Sequence, residues 1–191
     1  MYILFTGAPG SKWSSVAKNI YRSPDIDQSD STSERTYNKG TVNHIGSYFD
    51  PGMEFRITRD NWDLPFSGTG KRIIKSHTFA HELDQLSKLD FPIVMVYRND
   101  FECFKWWTDA GGFNITYPNY SYFQDNETMW SHIQAENRDI MQFIRDNQNR
   151  ITCPKDNVDL CRGLNISFPD TKAGYIIMNR TISKCTCTNN E

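Results

Sequence analysis

Glycine, serine and lysine stand side by side in residues 6–15, which read TGAPGSKWSS. An apolar run at Tyr2–Thr6 leads into this segment, and apolar residues recur at helical spacing over 14–22. Glycines let the backbone approach an anion, a helix N-terminus points N–H groups at it, and serine and lysine add donors and positive charge. The segment therefore predicts a phosphate-binding loop between a strand and a helix, with a plain turn and serine N-cap as the alternative. The candidate binding residues are Gly7, Ala8, Pro9, Gly10, Ser11, Lys12, Trp13, Ser14 and Ser15.

Two later strand candidates each lead into residues that could serve the same site. The strand predicted at Arg72–Lys75 is followed by Ser76 and His77, and Arg98 follows an apolar run at 91–97. Ligands bind at the carboxyl ends of strands in parallel α/β sheets. Taken alone, His77 could be a loop or capping histidine, and Arg98 could belong to a surface ion pair. Their occurrence together with a glycine-rich loop favours one shared site.

Helix and strand patterns alternate along the chain. Apolar spacing predicts further helices at 79–89, 100–107, 126–146 and 156–163, and a strand at 175–178. The continuous apolar run at 91–97 is typical of a central parallel strand. Residues from about 23 to 70 predict a long irregular insertion. Together these patterns predict a single α/β domain over 1–191, a three-layer α/β/α fold with a central parallel sheet.

The composition excludes several classes of protein. The 191 residues are 38% hydrophobic and 14% aromatic, which is too apolar for a disordered chain. A net charge of −2 argues against a globally basic nucleic-acid binder, so we expect no nucleic acid partner. No apolar run reaches the roughly 18 residues of a transmembrane helix, so we expect no membrane partner either.

The cysteines and the start of the chain indicate a reducing compartment. Five cysteines cannot all pair with one another, and Cys185 and Cys187 lie too close for a usual disulfide. The first residues lack the basic segment and long apolar segment of a signal peptide. We therefore expect a soluble cytoplasmic protein with reduced thiols, in which the five N-x-S/T triplets are accidental.

The order and spacing of these motifs resemble the sulfotransferases that use 3'-phosphoadenosine-5'-phosphosulfate. The resemblance rests on PGSKWSS at 9–15, KSH at 75–77 and YRN at 97–99, and it extends to WSHI at 130–133 and DLCRGL at 159–164. It spans roughly residues 1 to 170. The chain resembles a short and divergent member, and the resemblance implies the P-loop-NTPase-like sulfotransferase fold.

The resemblance also implies a role for each candidate residue. His77 would be the general base on an acceptor hydroxyl or amine. Lys12 and Lys75 would stabilise the sulfuryl group and the leaving phosphate oxygen. The N–H groups of the loop would bind the 5'-phosphate, and Arg98 would bind the 3'-phosphate. Trp13 stacks on adenine or belongs to the core, and the sequence leaves these two alternatives open.

The chain departs from the family pattern in its loop, after the arginine and near its end. Gly10 stands where the loop lysine usually follows the proline, and Lys12 lies two positions later. Lys105 and Trp106 stand where a serine usually helps to hold the 3'-phosphate, so Lys105 would supply a charge there instead. The C-terminal Arg-Lys-Gly segment of the family is not recognisable.

The donor, 3'-phosphoadenosine-5'-phosphosulfate, is the cofactor that the resemblance implies, and no metal is expected. The acceptor would be a small molecule or carbohydrate framed by residues 40–70 and 107–125. His81 follows His77 by four residues and is expected on the surface or behind the site rather than in a two-histidine metal site. Two other functions remain open, a P-loop kinase of small molecules and a nucleotide-binding module without catalysis.

Overall fold

The computed structural model describes residues 1–29, 35–36, 47–48, 53–54, 66–109 and 125–167. These residues form a mixed α/β structure around a small parallel sheet. The predicted strand at 175–178 and most of the predicted insertion lie outside the described residues. No helix within the described ranges is long and apolar enough to cross a bilayer.

A parallel sheet forms the centre of the fold. The strands of the described residues are Tyr2–Thr6 (β1), Arg35–Thr36 (β2), Ser47–Tyr48 (β3), Met53–Glu54 (β4), Arg72–Lys75 (β5) and Ile93–Met95 (β6). The spatial order of the sheet is β4-β5-β1-β6, and every neighbouring pair is parallel. The short strands β2 and β3 form a separate antiparallel pair.

Four of the five α-helices in the described residues begin and end within two residues of where their apolar spacing predicts. The α-helices of the described residues are Trp13–Tyr21 (α1), Leu83–Leu86 (α2), Asp100–Asp109 (α3), Asn126–Asp146 (α4) and Asn157–Gly163 (α5). Aspartate N-caps start two of them, because Asp125 accepts a hydrogen bond from the Thr128 N–H and Asp156 accepts one from the Asp159 N–H.

The segment predicted as one helix at 79–89 is broken into three pieces. It consists of a 3-10 helix, α2 and a second 3-10 helix, at His77–Glu82, Leu83–Leu86 and Ser87–Leu89. Ser76 caps the first piece, and Asp90, at φ 58, ends the last. The predicted apolar face is confirmed nonetheless, since the side chains that form it are at most 3% exposed: Phe79, Leu83 and Leu86.

Apolar side chains cover both faces of the sheet because successive residues of β1 point to opposite sides. Ile3 and Phe5 pack in one cluster with residues of α1 and α5. Leu4 packs on the other side with Phe79 and Leu86. β1 is therefore deeply buried, and helical segments lie against both of its faces.

The position of β6 differs from the prediction for the run at 91–97. Within the described residues this run forms only a three-residue strand at the edge of the sheet, beside β1. Its residues are half-buried, whereas Ile3, Leu4 and Phe5 are fully buried. The N-terminal strand takes the central position, because an apolar run indicates burial but does not determine the order of strands.

The two ends of the irregular segment are held together beside β5. Asp27 is 2% exposed and accepts hydrogen bonds from the Ser29 N–H and from Arg72 Nε. The Ser29 hydroxyl in turn accepts from the N–H groups of Ser67 and Gly68, at 2.8 and 2.7 Å. This polar junction therefore joins the residues that precede the irregular segment to those that follow it.

Gly10 marks a close approach between the loop and α3. Its φ is +80°, and an added Cβ would collide with the carbonyl oxygen of Cys103. We expect Gly10→Ala to lower the free energy of unfolding by about 3 kcal/mol or more, because the left-handed backbone and the collision both oppose a side chain. Urea unfolding monitored by circular dichroism measures this change.

Gly163→Ala is the matched control for this substitution. A Cβ at Gly163 would meet nothing within 4 Å. Because alanine favours a helix over glycine, this variant should be as stable as the wild type or more stable by up to about 1 kcal/mol. Equal stability of the two variants would contradict the close packing of the loop against α3.

Candidate functional site

Three strand ends meet at one edge of the sheet. Phe5 aligns with Lys75 and Thr6 aligns with Met95, so the segments that follow β1, β5 and β6 leave the sheet at the same edge. The Thr6 hydroxyl donates to the carbonyl of His77 at 3.3 Å, which links two of these segments directly. The structure therefore brings together the glycine-rich loop, His77 and the turn that carries Arg98.

The loop enters α1 through an unusual N-cap. Lys12 occupies the cap position with a φ of 66°, and its side chain makes no capping hydrogen bond. The serine N-cap of the plain-turn alternative is therefore not what the structure shows. The first turn of a helix leaves N–H groups without intrahelical partners, which favours an anion there. Beside it, Ser11 is fully buried, and its hydroxyl has no hydrogen-bond partner among the described residues.

Lys75 brings a charged group into the interior at this edge. The residue is 1% exposed, and Nζ lies 5.1 Å from the centre of the Trp13 ring, so the ammonium is close to the first residue of α1. Lys75 therefore adds positive charge next to the positive end of the helix. Trp13 itself is 5% exposed and belongs to the core cluster, which favours the core alternative for its ring.

His77 connects the end of β5 to the loop. Its Nδ1 lies 2.5 Å from the carbonyl oxygen of Gly7, and its ring meets the Trp13 ring edge-on at 4.7 Å. A carbonyl oxygen only accepts hydrogen bonds, so we assign the proton to Nδ1 and leave Nε2 as the basic nitrogen. Burial lowers the pKa of His77 to about 4. The hydrogen bond to Gly7 raises this pKa, and the positive charge of Lys75 lowers it further. The imidazole is therefore neutral near pH 7.

Arg98 contacts the loop, whereas Lys105 does not share in that contact. Arg98 Nη1 donates to the Gly10 carbonyl at 3.1 Å, and Nε lies 3.4 Å from Glu102 Oε2. Its side chain is 17% exposed, so the guanidinium lies at the border of the loop and the solvent. Lys105 bonds within α3 to Asp109, and both side chains are about 60% exposed.

The other candidates lie further from the strand ends. Trp106 is half-buried on α3. His81 is an exposed residue whose Nδ1 lies 2.6 Å from Asp139 Oδ2. In the part of the chain that the structure describes, no three His, Cys, Asp or Glu side chains gather as a metal site would require.

Helix α4 adds two buried polar residues that the motifs did not include. Glu136 and Asn137 are each 2% exposed. Glu136 Oε2 lies 3.9 Å from His77 Nδ1, and Asn137 Nδ2 donates to the carbonyl of Arg98 at 2.8 Å. Both residues interrupt the apolar stripe of an amphipathic helix, and such an interruption is the signal in the sequence that could have revealed them.

Comparison with known proteins finds no family model that matches the chain and no similar curated protein or solved structure. What the site can do is therefore inferred from its own charges and geometry. Lys75, Arg98 and the N-terminus of α1 supply positive charge, and His77 supplies a neutral base. This arrangement suits an anionic ligand next to a group that loses a proton.

The burial of His77 should make the folded chain less stable in acid. The folded pKa of about 4 lies below the ordinary value of 6.5, so the unfolded chain binds its proton first as the pH falls. This contribution to stability is complete above pH 6.5 and is lost as the pH falls from 6.5 to 4. The loss should be about 3 kcal/mol.

His77→Gln should lack this component of the acid sensitivity. The difference in free energy of unfolding between wild type and variant should therefore shrink by about 3 kcal/mol between pH 7 and pH 4, measured by urea unfolding at each pH. Lys75 and Glu136, which face His77, are retained in both proteins. His81→Gln, which removes an exposed histidine, is the control. Parallel stability curves for wild type and His77→Gln would rule out the buried neutral imidazole.

Proposed function

We propose that this chain is a sulfotransferase that moves a sulfuryl group from 3'-phosphoadenosine-5'-phosphosulfate to a hydroxyl or amine of a small-molecule or carbohydrate acceptor. The observation that carries the proposal is the meeting of the buried Lys75, Arg98 and the loop that leads into α1 at one edge of the sheet. The proposed fold is the three-layer, P-loop-NTPase-like sulfotransferase fold, with β1 between its two neighbouring strands. The proposed location is the cytoplasm.

An anionic ligand would offset the positive charge that accumulates at this edge. Lys75, Arg98 and the N-terminus of α1 all lie near the loop, and charges interact strongly where little water separates them. Burial is the main cause of the lowered pKa of His77, and the positive charge of Lys75 lowers it further. A phosphosulfate presents several negatively charged oxygens in one group and is therefore complementary to the site.

The transfer itself needs positioning and charge more than covalent help from the protein. The acceptor atom bonds to sulfur while the bond between sulfur and the 5'-phosphate oxygen breaks, and the bisphosphate leaves with the electron pair. His77 Nε2 takes the acceptor proton, because the Gly7 carbonyl holds the other ring proton on Nδ1. Lys75 and Lys12 stabilise the charge that develops on the leaving oxygen.

The nucleotide is held at both of its phosphates in this proposal. The backbone N–H groups of residues 7–15 and the Ser11 hydroxyl bind the 5'-phosphate, and Arg98 binds the 3'-phosphate. Lys105 joins the 3'-phosphate site only by exchanging its Asp109 partner for the ligand.

Stabilisation by nucleotides tests which ligand the site binds. Adenosine 3',5'-bisphosphate at about 100 times its Kd should add roughly 2.7 kcal/mol of stability. For a chain of this size, this raises the Tm by about 5 to 10 °C. Arg98→Gln should lose most of this shift, and Lys88→Gln, which removes an exposed lysine, should keep it.

The other ligands separate the open alternatives. A larger shift with ATP and Mg²⁺ would favour the kinase. A shift with the bisphosphate, but no transfer to any acceptor tried, would favour the nucleotide-binding module. No shift with any of these nucleotides would contradict the proposal.

Turnover should depend on His77. We expect His77→Ala to lower kcat by about 10²- to 10⁴-fold, because the acceptor loses its general base. The affinity for adenosine 3',5'-bisphosphate should change by less than about threefold, since the proposed contact of His77 is with the acceptor. Transfer of radiolabelled sulfuryl groups to a panel of alcohols, phenols and amines measures kcat, with Lys88→Gln as the control. Turnover of His77→Ala within about tenfold of wild type would remove His77 from the base role.

A further inference from the structure

A carboxamide on α4 holds the turn that carries Arg98. Asn137 Nδ2 donates to the Arg98 carbonyl at 2.8 Å and to Asp100 Oδ1 at 2.6 Å. The thiol of Cys103 donates to the same carbonyl at 3.3 Å. Asn137 lies 39 positions from Arg98 in the chain and is 2% exposed, so a distant, buried side chain fixes this turn.

The Arg98 carbonyl needs such a donor because it lies between two elements. β6 ends at Met95 and α3 begins at Asp100, so this carbonyl belongs neither to the sheet nor to a helix. The side chain of Asn99 caps the first turn of α3, since its Oδ1 accepts from the N–H groups of Phe101 and Glu102. With an apolar residue in place of Asn137, this partly buried carbonyl would keep only the weak donor of the Cys103 thiol, and the loss of the stronger hydrogen bond is costly.

The backbone position of Arg98 determines where its guanidinium reaches. Nη1 donates to the Gly10 carbonyl at 3.1 Å, so the side chain lies against the loop while the backbone is held from α4. We propose that Asn137 is a positioning residue that keeps Arg98 at the loop and so gives the site its preference for a nucleotide with a second phosphate. This inference rests on the proposed function, in which Arg98 binds the 3'-phosphate.

A comparison of two nucleotides separates positioning from general support of the fold. Isothermal titration calorimetry gives the Kd values of adenosine 3',5'-bisphosphate and adenosine 5'-monophosphate for wild type, Asn137→Ala, Arg98→Gln and the double variant. Asn137→Ala should weaken the binding of the bisphosphate about tenfold and the binding of the monophosphate by less than about twofold. Arg98→Gln should remove the preference for the bisphosphate over the monophosphate. The double variant should bind the bisphosphate no more weakly than Arg98→Gln does, because both changes act through one contact.

Matched variants separate an effect on nucleotide binding from a loss of folding. Gln134→Ala replaces an exposed residue of the same helix and should leave both Kd values unchanged. Asn137→Ser leaves a smaller gap than alanine, but its hydroxyl is one bond shorter and cannot reach both acceptors, so it should resemble Asn137→Ala. Circular dichroism at the titration temperature establishes which variants are folded, and each Kd is measured on folded protein.

The possible failures are distinguishable. An unchanged preference in Asn137→Ala and Asn137→Ser, an equal loss of affinity for both nucleotides, or additive effects in the double variant would each overturn the positioning role alone. Equal affinity of the wild type for the two nucleotides would overturn the proposed function, and the positioning role with it.

Discussion

β1 forms parallel ladders along both of its edges, with β5 on one side and β6 on the other. This double pairing determines where the segments that follow the three strands lie at the carboxyl edge of the sheet. It places the loop after β1 between His77, which follows β5, and Arg98, which follows β6. Two hydrogen bonds then tie the loop to its neighbours, one donated by His77 Nδ1 to the Gly7 carbonyl and one donated by Arg98 Nη1 to the Gly10 carbonyl. The full burial of Ile3, Leu4 and Phe5 on two faces stabilises the strand on which this arrangement depends.

At this edge of the sheet, the residues that carry positive charge are not the residue that can accept a proton. Lys75 and Arg98 carry positive charge next to the N-terminus of a helix, while burial keeps His77 neutral. A neutral base beside cations can accept a proton from a ligand whose negative charge the cations hold. Glu136 adds a buried carboxyl group near His77 from α4, so the loop, α1 and α4 each place a group beside the imidazole.

Local patterns were enough to predict most elements, and contacts between distant residues explain where prediction failed. Helix α4 begins and ends where its apolar spacing predicts. The helix predicted at 79–89 is broken, although its apolar face is correct, because an apolar period does not report the 3-10 turns that Ser76 and Asp90 delimit. The order of strands follows from pairing between distant segments, which is why the run at 91–97 forms an edge strand within the described residues.

The candidate site could be predicted in its parts but not in its internal contacts. Glycine-rich and basic segments at strand ends are visible in one sequence, because topology alone brings them to one edge. The partners of those residues are not visible there. Glu136 and Asn137 act from α4, far along the chain, and Lys105 has its partner within its own helix.

The most direct test of the central claim is the pKa of His77 with and without a bound nucleotide, followed by NMR through the imidazole resonances. The free protein should show a pKa of about 4. An anionic group bound beside Lys75 would favour the protonated imidazole, so saturation with adenosine 3',5'-bisphosphate should raise this pKa to about 5 or higher. A pKa of His77 that stays the same under saturating bisphosphate would contradict the claim that this edge of the sheet binds the phosphorylated ligand.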